Sequence, residues 1–280
     1  MSSAERQLSM IRLFSADKPI WTAEEAAPIL GVSVSTCYRY INSLCQVGML
    51  DPVAGKGYML GPAFIEYDRL IRVTDPLLIA ARPIMLDLLA EVGIDAGILL
   101  SRVYQEGVMC IDQEMSPGFD TAFSYERGRP MPMYVGATSK IILSHLPARA
   151  VKRIYDNYQR GENGIDLGDW QDFKNEMRGF RRAGHCVTHG TVDKGIMGIA
   201  APIFDDSGNI LGSLSTIVRD TDVADIDLER LSGLIKHKAR EIELVLSGQE
   251  TAPQRTARIA VVGGTAHRPA KARKAEGASK

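Results

Sequence analysis

The stretch from Thr22 to Leu60 leaves little choice of local fold. Thr22 stands three positions before Glu25 at the head of an apolar run. That is the pattern of a capping box, in which hydroxyl and carboxylate each accept a backbone N–H. Ala26, Ala27, Ile29 and Leu30 supply a buried face for the helix that follows, and Gly31 can take the left-handed conformation that ends it. Ser33 or Ser35 then caps a second helix, in which Val34, Tyr38, Ile41, Leu44 and Cys45 recur at helical spacing until Gly48. Residues 49–51 and 58–60 read as short strands around a turn relieved by Gly55 and Gly57, with Lys56 at its tip. Helix, corner, helix and hairpin is the order of a winged helix-turn-helix.

The second helix has a polar face made of Ser35, Thr36, Arg39, Tyr40, Asn42 and Ser43. Such side chains donate to phosphates or reach base edges from a major groove. With Ser33 and Tyr38 beside that face and Lys56 on the wing, they form the candidate DNA-binding set, and double-stranded DNA is the first partner to test. An ordinary helical hairpin and a winged module that binds protein are the competing readings. Residues 1–75 hold seven Lys/Arg against eight Asp/Glu, so the module has no basic field. Affinity must come from few well-placed contacts, doubled by dimerisation.

The 280 residues suffice for two domains, and 45% of them are apolar. Lys and Arg total 33 against 34 Asp and Glu, so whole-chain charge says nothing about a polyanionic partner. The first residues form no leader, and no run approaches the roughly 18 apolar residues of a membrane span, so a cytoplasmic protein is expected, with no membrane partner. Cys37, Cys45, Cys110 and Cys186 form no Cys-x-x-Cys pair, which argues against a zinc site or a disulfide framework. No metal and no cofactor are expected.

Downstream, residues 62–74 read as a linker helix with Phe64, Ile65, Tyr67, Leu70 and Ile71 as its apolar positions, and residues 76–92 as another helix, stopped by Gly93. The period then changes. Strands are expected at 96–104, 108–113, 119–125, 185–188, 196–204 and 210–218, and helices at 135–145, 148–156, 170–183 and 225–246, the last with Ile226 among its apolar positions. The fold class is α+β: residues 1–61 the winged module, 62–75 the linker, 76–248 a mixed α/β sensor, and 249–280 a disordered tail. That tail carries Arg255, Arg258, Arg268, Lys271, Arg273, Lys274 and Lys280, and reads as a solvated segment, with a DNA-contacting arm as the other reading.

The winged module with Ser35-Thr36-Cys37-Tyr38-Arg39 and Val47-Gly48-Met49-Leu50, then Tyr58-Met59-Leu60-Gly61-Pro62, resembles the IclR (isocitrate lyase regulator) family of bacterial transcription factors. The resemblance continues through Gly128-Arg129-Pro130-Met131-Pro132-Met133, Ala137-Thr138-Ser139-Lys140, Gly195 to Phe204 and Gly208 to Ser215, covering roughly residues 5–246. It implies a homodimer or tetramer that binds operator DNA, with a GAF-like C-terminal domain whose small-molecule effector changes operator affinity. By the same resemblance the effector-binding residues are Met133, Ala137, Thr138, Thr188, His189, Gly198, Ser215 and Ile217. Small residues, hydroxyls and a helix N-terminus suit a small organic acid, aromatic acids included. Two positions depart from the family: Gly190 stands where an acidic residue is frequent, and Ser139 replaces the usual glycine before Lys140.

An enzyme is the rival class. Cys186 lies three positions from His189, and a thiol beside an imidazole becomes a nucleophile when the two side chains meet. No orienting Asp or Asn pattern accompanies them, so catalysis is not expected. For a regulator, the helix over 62–74 is the natural transmitter between the two domains, because a rotation of the sensors would change the spacing of paired recognition helices.

Overall fold

The computed structural model describes residues 2–160, 167–225 and 227–249. It begins with an element that sequence patterning did not suggest, helix α1 (Ser3–Ser9), capped by Ser2 and followed by a 3-10 turn over Met10–Leu13. Helix α2 (Ala23–Leu30) starts on the expected capping box: Thr22 Oγ1 accepts the Glu25 N–H at 3.3 Å and the Glu25 carboxylate accepts the Thr22 N–H at 3.0 Å. Gly31, at φ +63°, ends it. Ser33, not Ser35, caps helix α3 (Val34–Gln46).

The buried stripe of α3 is Cys37, Tyr40, Ile41 and Leu44, rotated from the expected one, while Val34 and Tyr38 are exposed. The physical reason is α1. It supplies a partner for the side of α3 that would otherwise be wet, and the Tyr40 hydroxyl lies 3.0 Å from Ser3 Oγ. Ile29, expected in the α2 core face, is also exposed. The core here gathers Met10, Trp21, Ala26, Ala27, Cys37, Ile41, Leu44 and Leu50.

Strands β1 (Leu50–Val53) and β2 (Gly57–Leu60) pair antiparallel with Leu50 opposite Leu60. They run longer than expected and start one residue later than Met49, so the tip is Ala54-Gly55-Lys56. Trp21 adds a third member, exchanging backbone hydrogen bonds with Tyr58 at 3.0 and 2.9 Å.

Helix α4 (Ala63–Thr74) follows, and Asp75 breaks it from α5 (Pro76–Val92), whose first N–H groups its carboxylate accepts. The apolar residues of α4 are largely unburied: Ile65 is 75%, Ile71 51% and Val73 55% exposed.

The remainder is one antiparallel sheet between two helical layers. Strands β3 (Ala96–Tyr104), β4 (Gly107–Met115), β5 (Pro130–Pro132), β6 (Cys186–His189), β7 (Ile196–Phe204) and β8 (Ile210–Arg219) lie in the order β5-β4-β3-β8-β7-β6. Alternation sorts the side chains. Ile98, Leu100, Met197, Ile199, Leu214 and Val218 face α5 and helix α9 (Leu228–Leu246). Leu99, Ile196, Ala200 and Ile217 face helices α6 (Gly136–His145), α7 (Ala148–Arg160) and α8 (Trp170–Ala183).

Four expectations are corrected. Residues 119–125 are irregular rather than a strand, and the edge is taken by β5, where Pro130 and Pro132, which have no N–H to donate, are tolerated. Strand β6 lies one residue later than expected. Helix α7 runs on to Arg160. The last helix begins at Leu228 on an Asp227 cap, because residues 220–225 form a 3-10 turn. Ile226 and the basic segment 250–280 lie outside the described residues.

Candidate functional site

Two places gather the candidate residues. On α3, Ser33, Ser35, Tyr38, Arg39, Asn42 and Ser43 are exposed and Thr36 is half-buried. Tyr40 is not available to a duplex, since only 7% of it is exposed and its hydroxyl is turned to α1. The first turn is internally organised: Ser33 Oγ lies 3.1 Å from Ser35 Oγ, donates to Thr36 Oγ1 at 3.0 Å, and accepts the Thr36 N–H at 3.3 Å. Tyr38 donates its hydroxyl to Glu24 of α2 at 3.0 Å, a pair that fixes an otherwise free phenol. The Glu24 backbone N–H, then that phenol, hold the Glu24 carboxyl below its ordinary value. Arg39 and Lys56 have no ion-pair partner among the described residues, so both cations point to solvent unneutralised.

The second place is a cavity at the N-terminus of α6. Of the residues that the resemblance implies, Ala137, Thr138, Thr188, Gly198 and Ile217 line it. The rest of its wall, Phe123, Tyr125, Gly136, Thr191, Val192, Asp193 and Ile196, comes mostly from two irregular segments whose approach only the tertiary fold determines. Thr188 Oγ1 accepts the Ala137 N–H at 3.1 Å, and Thr138 Oγ1 donates to Ser215 Oγ at 3.0 Å. Ser124 donates its N–H and its hydroxyl to Asp193, a wall residue, at 2.8 and 2.6 Å. The Tyr125 hydroxyl donates to the Val135 carbonyl at 2.6 Å and lies 2.6 Å from Ser139 Oγ, so the serine at the departing position has a partner where a glycine could offer none. Burial pushes that phenol above its ordinary value.

Three expected residues do not line the cavity. Met133 is packed in the core and Ser215 is buried behind Thr138. His189 projects from the other face of β6, exposed and 3.7 Å from Asp220, because residues 188 and 189 alternate across the strand. The same alternation separates it from Cys186, which is buried with its thiol pushed up to about 12, chiefly by desolvation. No Cys–His nucleophile is assembled there. Gly190, the other departing position, sits at φ +58° and closes the 190–196 loop by donating to the Ile196 carbonyl at 2.9 Å.

The cavity is about 30 Å³, room for little more than one water. Val135, the residue before α6, offers no capping side chain, and of the first N–H groups that of Ala137 is taken by Thr188 Oγ1, so the others give this end a partial positive charge. A larger open depression of about 490 Å³ lies by the β7–β8 turn and the end of α9. Its charges are used locally: Arg240 pairs with Glu243 at 2.6 Å, and Glu243 accepts the Phe204 N–H at 2.9 Å. Among the described residues no group of three or more His, Cys, Asp and Glu is placed to hold a metal ion, and no helix is long and apolar enough to cross a membrane.

The model of the family described as bacterial transcriptional regulator IclR C-terminal matches residues 73–244. The chain belongs to the IclR family. Among curated IclR-type relatives, the HTH-type transcriptional regulator KipR of Bacillus subtilis is 26% identical over 243 residues, 85% of this chain and 94% of KipR. XynR of Escherichia coli, another HTH-type transcriptional regulator, is 23% identical over 234 residues, 81% and 90% of the two chains. Among solved structures, the Thermotoga maritima IclR matches with a TM-score of 0.61 at 21% identity, covering 87% of this chain and 98% of that one. An IclR homologue from Microbacterium hydrocarbonoxydans, crystallised in complex with 4-hydroxybenzoate, gives a TM-score of 0.71 at 19% identity, covering 88% and 100%. At such identities these structures establish the shared fold. The mixed α/β region after α4 is thus an IclR effector-type fold, and the protein is an IclR-family transcriptional regulator.

Proposed function

We propose that this regulator binds double-stranded DNA through residues 1–61, a winged helix-turn-helix, and that a small organic acid in the α6 cavity changes its operator affinity through the linker at 62–75. The observation that carries the DNA half is α3, with one face locked in the core and Ser35, Arg39, Asn42 and Ser43 on the other, beside an unpaired wing lysine. A major groove admits such a helix, and its hydroxyl, amide and guanidinium groups match phosphates and base edges. The exposed apolar side of α4, Ile65, Ile71 and Val73, supports self-association as a homodimer or tetramer. Paired recognition helices would then meet half-sites about 34 Å apart or a multiple of it. The effector domain spans 76–248 in this reading, acts in the cytoplasm and carries no catalysis.

The effector half rests on the α6 N-terminus, where a carboxylate is favoured and would compete with Thr188 Oγ1 for the Ala137 N–H, and on the small walls Ala137 and Gly198. The 4-hydroxybenzoate of the Microbacterium homologue is a carboxylic acid of the expected kind. A cavity of about 30 Å³ must open to take such a molecule, so binding and conformational change are one event.

A thermal-shift screen of small carboxylic and aromatic acids tests this, followed by binding assays on genomic fragments. An acid at about 100 times its Kd stabilises by about 2.7 kcal/mol, a shift of several degrees. Gly198→Ala is the control. An added Cβ would lie 3.6 Å from Ala137 Cβ and 3.7 Å from Thr188 Oγ1, ordinary contacts that fill the cavity without strain. Stability should change by less than about 1 kcal/mol while the acid response disappears. A response equal in wild type and Gly198→Ala would put the acid elsewhere.

A further inference from the structure

The chain from Phe123 to Arg127 is fastened at one end to the cavity and at the other to the linker helix. At the cavity, Phe123 and Tyr125 are wall residues and Ser124 is held by Asp193. At the far end, Arg127 donates its backbone N–H to Gln113 Oε1 at 2.9 Å and its Nε–H to the Ile111 carbonyl at 2.7 Å, both on β4. The same guanidinium is hydrogen-bonded to the Asp68 carboxylate on α4. Asp68 also accepts Arg72 Nε–H at 3.1 Å, and Arg72 reaches the buried Asp112 at 3.4 Å. Arg127 first, then Arg72, keep the Asp68 carboxyl below its ordinary range.

Arg127 lies three positions along the chain from Ser124, a reach of at most about 11 Å fully extended, so the segment has little slack. The cavity's other walls are α6 and the strands β6, β7 and β8, whose backbones are locked in a helix and in sheet ladders. The walls outside helix and sheet are the irregular segments around Phe123 and Val192, held by side-chain hydrogen bonds rather than a backbone ladder. Because Ser124 is bonded to Asp193 of the Val192 segment, opening the cavity through either segment pulls on the one that ends in Arg127. Helix α4 has room to respond: an apolar slot of about 180 Å³, lined by Ile71, Leu78, Met109 and Ile111, separates it from the sheet. Ion pairs rather than packing span this slot, Asp68 with Arg127 and Asp75 with Arg102, the latter at 2.7 Å.

We propose that Arg127 is the coupling residue of this regulator: enlargement of the α6 cavity moves the 123–127 strap, alters the Arg127–Asp68 pair and releases or re-aims the linker helix. The inference takes from the proposed function only the identity of the cavity as the effector site.

A mutant cycle read by hydrogen exchange on the full-length protein tests it without any effector. Asp193→Ala loosens the cavity end by removing both oxygens that accept from Ser124, and Ser124→Ala loosens the same end from the other side by removing the hydroxyl. Each is expected to raise exchange of the 63–74 amides about threefold or more, and in an Arg127→Ala background the same changes should leave those amides where Arg127→Ala alone puts them. Linker amides that ignore both cavity-end variants, or that respond equally with and without Arg127, would overturn the proposal. An acid screen without hits would leave this cycle fully readable. A failed cycle would leave the cavity's capacity to bind an acid untouched.

Discussion

Arg39→Ala is expected to weaken binding to a recognised genomic duplex by about tenfold to a hundredfold, the 1–3 kcal/mol of a base-edge or strong phosphate contact. The guanidinium is exposed on α3 and has no ion-pair partner among the described residues, so its removal should leave the fold of the module intact. The melting temperature and any acid-induced shift should stay as in the wild type. Lys56→Ala on the wing is expected to act differently, lowering affinity for all sequences alike and reducing the slope of log K against log salt by about 1. Tyr40→Phe is the internal control: Tyr40 is buried against α1, and loss of its hydroxyl should leave DNA affinity unchanged. Fluorescence anisotropy across a potassium chloride series distinguishes the three. Constant affinity in Arg39→Ala and Lys56→Ala would discard this face of α3 and the wing as the docking surface.

The contrast between Arg39 and Tyr40 marks how far the residues alone could be read. Capping chemistry is local, so Thr22, Glu25, Gly31 and Ser33 placed α2 and α3 almost to the residue. Which stripe of α3 is buried is not local. Helix α1 decides it, and that short helix buries no residue of its own, so periodicity gave no sign of it. The sheet shows the same division. Strands β3, β7 and β8 read directly as apolar runs, whereas residues 119–125 look strand-like but are drawn out of the sheet by Ser124 and Tyr125, which bond to Asp193 and Val135. In the cavity, Ala137, Thr138, Thr188, Gly198 and Ile217 were legible by resemblance. The same resemblance named His189 beside Thr188, but adjacent residues of β6 face opposite ways, and His189 turns away from the cavity. The Phe123 segment reads as a strand and the Val192 segment has no period, so neither announced its approach to α6.

Gly57→Ala is expected to cost the N-terminal module about 2–4 kcal/mol and to reduce duplex affinity more than Lys56→Ala does. Gly57 stands at φ +125°, where a side chain is strained, and an added Cβ would lie 2.5 Å from the Trp21 carbonyl oxygen and 2.9 Å from its carbon. Both are backbone atoms, so neither can swing aside. The β-bridge between Trp21 and Tyr58, with its hydrogen bonds of 3.0 and 2.9 Å, must open instead. That bridge joins the wing to the segment leading into α2, and Trp21 is itself anchored by its indole N–H to the Leu13 carbonyl at 2.9 Å. Once it opens, Lys56 is no longer held at a fixed distance from α3, and the wing and the recognition helix cease to bind as a unit. Gly55→Ala separates strain from docking, because Gly55 also has positive φ, +69°, but an added Cβ there meets nothing within 4 Å. It should cost only about 1–2 kcal/mol of local backbone strain. Denaturant unfolding and anisotropy on both variants provide the test. Equal losses in the two would show that backbone strain at the turn, rather than the Trp21 contact, governs the wing, and the bridge would then have no part in presenting Lys56 to DNA.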